Sequence, residues 1–284
     1  ICKIYVILPP LPANQNNHSM NKRNITLIST MLFIAATLWQ QTIHESGHFI
    51  AALLLHSQYV TLYHNYVAHD MSSLDMTSRI VIAAAGPLIS LLVGIVFQFI
   101  CSQFEKRNSL FLFLLYMSAF GYINFGGYLL ISPIFTGGDT GFIFQQLGFP
   151  IWLSILFALG GVVFLFYCMK MLSHFFVEMA SVDILNDDEK RKQFIDALIQ
   201  YPIYFGIAAT VLLNLPAPVF LSLLYPICSP FTLFWGYGYL TNGEYSVAKA
   251  NKTFDQWTKI QPGVVVFLIL SILVNRLLVF GLHF

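Results

Sequence analysis

Charge is scarce in this chain, with 14 Lys and Arg and 13 Asp and Glu among 284 residues, a net charge of +1. So small a net charge argues against an electrostatic partner such as nucleic acid. Cysteine is scarce too. Cys2, Cys101, Cys168 and Cys228 are scattered without a CxxC pair, which argues against a disulfide framework and against a thiolate zinc site. Polar residues are few as well. The chain is 57% hydrophobic, with a mean hydropathy of +0.71. A single soluble core of this length cannot bury that much apolar surface, so an integral membrane protein is expected.

The apolar residues fall into six segments long enough to span a bilayer, at 25–55, 79–101, 109–132, 150–170, 202–225 and 263–283. The expected fold is an all-α polytopic membrane protein of about six transmembrane helices, with a short β-like segment. Three regions are expected. Residues 1–24 form a disordered N-terminal extension, part of which precedes Met20, a natural start. Residues 25–145 form a transmembrane core, and 146–284 a C-terminal region of about three spans with a charged loop at 171–200. The stretch 226–240 is apolar but broken by Pro226, Pro230, Gly236 and Gly238, and reads as re-entrant or interfacial. Lys22, Arg23, Lys106, Arg107, Lys170 and Lys190 through Lys192 all lie on one side of this arrangement. The positive-inside rule puts that side, with both termini, in the cytoplasm, although Lys249, Lys252 and Lys259 fall opposite. The expected location is a multi-pass protein of a bacterial inner (cytoplasmic) membrane.

Against this background, His44-Glu45-Ser46-Gly47-His48 stands out. Imidazoles four residues apart share one helix face and can ligate one zinc ion (Zn2+), while the adjacent carboxylate serves as general base on water. With 8 His and 5 Glu in the chain, a chance HExxH match has an expectation of about 0.004. Ionisable groups inside an apolar run are costly and mark function. A third ligand must come from the same side of the membrane, to which the chain returns after the third span. There Asp139, in the Gly-rich turn Gly137-Gly138-Asp139-Thr140-Gly141, is the only acid between Lys106 and Glu178. The bland alternative for Asp139 is a solvated loop aspartate.

Together these residues resemble the site-2 protease family of intramembrane zinc metallopeptidases. His44 through Phe49 is similar to its HExGH motif. Ala84-Ala85-Gly86-Pro87-Leu88-Ile89-Ser90 resembles its AGPxxN stretch, with Ser90 in place of Asn. Pro133 through Gly141 resembles its Pro-rich segment ending in Leu-Asp-Gly, with Gly138 for the Leu and Thr140 after the Asp. The likeness covers about half of the chain. It implies His44, His48 and Asp139 as zinc ligands and Glu45 as catalytic base. It also implies transmembrane proteins or peptides as substrates, within the lipid bilayer. Many family members open the zinc toward the cytosol, whereas the Lys and Arg distribution here puts it on the opposite face. The rival reading is a catalytically inactive relative that binds membrane clients, or an ion-coupled transporter.

Other features stay open at this level. Gln58 to Val67 favours a strand, either pairing with an unwound substrate or lying at the interface as a loop with Tyr59, Tyr63 and Tyr66. Ala83 through Pro87 gives the second span a small face and a kink, which serve close helix packing or else the positioning of a substrate. Asn124 is either an oxyanion donor or an interhelical hydrogen bond. His56, His64 and His69 are alternative third ligands, and His174 with Glu178 reads as part of a solvated helical loop.

Overall fold

The computed structural model describes residues 21–217, 220–242 and 259–284. The expected extension at 1–24 lies outside these as far as residue 20. From there on the expectation fails, because Asn21 caps a helix by accepting a bond from the Asn24 N–H at 3.2 Å. That helix, α1 (Lys22–Leu54), is followed by a hairpin of β1 (Gln58–Leu62) and β2 (Val67–Asp70). Next come α2 (Met76–Gln103), α3 (Ser109–Ile131), the short α4 (Asp139–Gln146) and α5 (Ile151–Val177). Among the described residues, six helices are long and apolar enough to cross a membrane. Two of them, α1 and α3, form the centre. Phe33 of α1 meets Tyr116 and Phe120 of α3 edge-on, at ring separations of 5.6 and 5.0 Å. By contrast, α2, α5 and the last long helix turn apolar side chains such as Phe99, Trp152 and Leu277 outward.

The second half departs from the sequence expectation in a way the local chemistry explains. The region 171–200 is not a charged loop. After α5 come α6 (Val182–Leu185) and α7 (Asp188–Ile195), the latter capped by Asp187 accepting from the Glu189 and Lys190 N–H groups at 3.0 Å each. From α7 the chain runs through one wide turn (Asp196–Gln200) directly into α8 (Tyr201–Leu213). The wide turn makes room for Pro202, which has no N–H for the Leu198 carbonyl. Side chains from the central helices take up the freed oxygens. Ser29 Oγ donates to Ala197 O at 2.5 Å, and the Tyr116 hydroxyl donates to Leu198 O. The fifth long helix is therefore Asp188–Leu213, not 202–225. It stops where Pro216 forbids continuation, and Arg276 donates to the Leu213 and Leu215 carbonyls left over at its end. Nor is Glu178 solvated: it is buried in an ion pair with Arg107 at 2.6 Å.

Beyond that break lie α9 (Leu224–Cys228) and α10 (Phe234–Asn242), too short to span, and then α11 (Pro262–Leu277). The chain ends in β3 (Leu282–His283), which pairs antiparallel with β1. The sheet order is β2-β1-β3. The strand expected over 58–67 thus breaks at Leu62, because Tyr63-His64-Asn65-Tyr66 forms the hairpin turn, with the Tyr63 N–H bonded to Tyr66 O at 3.0 Å.

Candidate metal centre

One face of α1 carries Gln41, His44, Glu45 and His48 into a cavity of about 270 Å³. The two imidazoles, four residues apart, point their Nε2 atoms together at a separation of 3.1 Å. The Asp139 carboxylate reaches both, with Oδ2 at 3.0 Å from His44 Nε2 and 3.2 Å from His48 Nε2. Among the described residues, His44, His48 and Asp139 are the group that could hold a metal ion. The altered flanks of Asp139 do not keep it away. Gly141 is what the turn needs, since a Cβ there would stand 2.1 Å from the Phe135 carbonyl oxygen. Burial pushes the Asp139 carboxyl up, but His48 and His44 outweigh it and hold the group below the ordinary carboxylate range.

The other ring nitrogens determine what these atoms can do. His48 Nδ1 donates to the Ile82 carbonyl at 2.7 Å. His44 Nδ1 lies 3.2 Å from Ser90 Oγ, whose own hydrogen goes to Gly86 O at 3.0 Å, so Ser90 accepts from His44. With both Nδ1 atoms donating, both neutral imidazoles present Nε2 lone pairs to the carboxylate oxygen. Three lone-pair atoms this close repel one another unless a cation, either protons or a metal, sits among them. The chemistry of this donor set therefore fits a metal ion.

The small residues of α2 explain how it comes so near. A Cβ on Gly86 would lie 2.2 Å from His48 Nε2, and one on Gly47 would lie 2.7 Å from Ala85 O. The Ala-Gly-Pro stretch therefore does more than pack. It brings a backbone carbonyl and a hydroxyl of α2 onto the two histidines. Tyr128 of α3, a residue without a sequence motif to mark it, stacks on the His44 ring at 5.1 Å with 3° between the planes. The available signal was its position one turn after Asn124, on the same helix face.

The remaining candidates sort cleanly. Glu45 is buried and lines the same cavity. Asn124 lines it too, with Oδ1 making no hydrogen bond among the described residues, so it does not tie helices together through that atom. His69 lines the cavity, but its Nδ1 is bonded to Ser57 Oγ at 3.1 Å; His64 is bonded to the Asn214 carbonyl at 3.2 Å. Neither these two nor His56 joins the metal-ligating group. Because β1 is flanked on both sides, the strand beside the cavity is β2, where Val67 and His69 form part of the wall. Gln41, Arg79 and Tyr225 line the cavity without any sequence motif having marked them. Comparison with protein-family models, with curated proteins and with solved structures returns no match to this chain.

Proposed function

We propose that this chain is an intramembrane zinc metalloprotease of the site-2 protease kind, hydrolysing peptide bonds in or near transmembrane segments of other membrane proteins. The observation that carries the reading is the meeting of His44 Nε2, His48 Nε2 and Asp139 Oδ2 within 3.2 Å, in one cavity with Glu45. Two imidazole nitrogens and one carboxylate oxygen are a catalytic-type zinc donor set that leaves a fourth tetrahedral position free. Their spacing lets all three atoms lie about 2 Å from a common point, as zinc requires. When bound there, zinc supplies a Lewis acid that makes water a nucleophile near neutral pH and polarises a carbonyl.

The chain's own groups do the rest. Ser90 and Ile82 hold the rings, and Tyr128 covers one face of His44. Glu45 takes a proton from the attacking water as the water oxygen bonds the carbonyl carbon. It then delivers that proton to the amine nitrogen as the C–N bond breaks. The edge of β2 offers backbone pairing to a segment that has left its helix. Six long apolar helices with outward apolar side chains support a multi-pass membrane location, where transmembrane segments are the abundant substrate.

The test is zinc per chain in the purified protein beside Asp139→Ala, His44→Ala and Glu45→Gln, with cleavage of a transmembrane reporter followed in parallel. About one zinc in the wild type and in Glu45→Gln is expected, with strong loss in the two ligand variants and cleavage in the wild type alone. A wild type that takes up no zinc on reconstitution, or a Glu45→Gln protein that still cleaves, overturns the reading.

A further inference from the structure

The cavity around Glu45 carries more polar atoms than the fold itself uses. Gln41 Oε1, Asn65 Oδ1, Asn124 Oδ1 and the Tyr225 hydroxyl are buried and find no hydrogen-bond partner among the described residues. All four side chains line the same cavity as the two imidazoles and Asp139. They come from four separate places: α1, the β1–β2 turn, α3 and α9. Gln41, Asn65 and Asn124 are only 4, 3 and 4% exposed. Buried polar groups are almost always paired, so four unpaired ones converging on one cavity point to a ligand that supplies the missing partners.

The chemistry of the four narrows the ligand. They are neutral amides and a phenol, and the cavity they share carries charges of both signs, from Glu45, Asp139 and Arg79, so the four unpaired groups themselves call for a neutral hydrogen-bonding ligand. A carboxamide presents a carbonyl and an N–H side by side, as does each peptide group of an extended chain. A helical segment has none to offer, because its own groups are paired internally. Gln41 precedes Glu45 by four residues and so stands on the same face of α1, while Val67 and His69 of β2 line the cavity as well.

We propose that Gln41, Asn65, Asn124 and Tyr225 form a cradle that hydrogen-bonds the backbone of an unwound polypeptide segment and positions it past Glu45. The proposal rests on the peptidase reading and assigns these residues as substrate-positioning groups. It predicts that selectivity follows the ease of unwinding rather than the side chains flanking the cut.

The test uses the full-length, zinc-loaded protein in lipid nanodiscs with Tyr225→Phe and Gln41→Leu. Gln41→Met replaces the second if it does not fold. The probe is a fluorogenic peptide of about 20 apolar residues with a central Asn-Gly. The expected result is a KM raised roughly fivefold to tenfold by each variant, with kcat and zinc content kept and the melting temperature unchanged or higher. A purely structural role predicts the reverse: an unchanged KM and a lowered melting temperature. Unchanged KM in both variants overturns the cradle while leaving the peptidase reading intact. Should the wild type cleave nothing, binding of the same peptide to Glu45→Gln decides. Weaker binding in both cradle variants upholds the proposal, and unaltered or absent binding overturns it.

Discussion

Ser90 is not one of the three residues that could ligate a metal, yet the hydrogen bond it accepts from His44 Nδ1 sets the tautomer and tilt of that ring. Removing such an outer partner weakens metal affinity by about 10- to 100-fold. Ser90→Ala should therefore bind zinc that much more weakly in competition with a chelator, with helix content by circular dichroism unchanged. Equal affinity in both proteins would show that Ser90 does not orient the ring. At this scale the sequence was most legible where spacing alone carries chemistry. His44, Glu45 and His48 need only one helix to acquire a common face. Asp139 needed more, namely the count of membrane crossings that returns it to their side. Gln41 and Tyr225 were illegible, and Tyr128 was marked only by its place one turn after Asn124, because an aromatic or amide in an apolar run looks like core until neighbouring helices close around it.

Among the elements, α2 is the one whose composition is explained by the site. Gly86→Ala would improve helix propensity by about 1 kcal/mol in isolation, but its Cβ would meet the His48 ring. The expected outcome is loss of zinc binding, read by metal content, in a protein that stays folded. The hairpin gives a second element-scale prediction. Burial pushes His64 below its ordinary value of 6.5, and nearby Arg276 pushes the same way, outweighing the opposing bond from the Asn214 carbonyl. The unfolded chain then binds a proton there more readily than the folded one. Stability from this group is present above pH 6.5 and is lost as the pH falls below it. The melting temperature should drop between pH 7.5 and 5, less steeply in His64→Gln; identical slopes in both would exclude His64 as the cause. The fifth long helix was misplaced by the sequence reading because hydropathy outweighed punctuation. The charged start at Asp188 is stabilised by a cap and by Arg191 bonded to Asp188 at 2.7 Å, while the apolar stretch after Leu213 is stopped by proline.

On the scale of the whole molecule, the candidate metal centre packs on the N-terminal half and middle of α2, at Ile82, Gly86 and Ser90, whereas the Arg107–Glu178 pair lies beyond its C-terminal end. That helix has 28 residues and so is about 42 Å long. Breaking a buried pair by removing one partner costs about 3 kcal/mol. Glu178→Ala should lower the melting temperature clearly while leaving zinc affinity as it was; a parallel loss of affinity would mean that the two places are coupled. The overall helical, six-segment arrangement was legible because length and apolarity are additive along the chain, whereas the pairing of β3 with β1 joins residues more than two hundred positions apart and has no local sign. One last consequence follows from the contact between His44 and Asp139, which lie 95 residues apart. An ion shared by them ties the end of α1 to the start of α4 as a disulfide would, closing a long loop that contains the hairpin, α2 and α3. Chelation would then do more than silence the chemistry. It would cut a cross-link in this half of the chain, and at a zinc concentration 100 times its dissociation constant that link is worth about 2.7 kcal/mol.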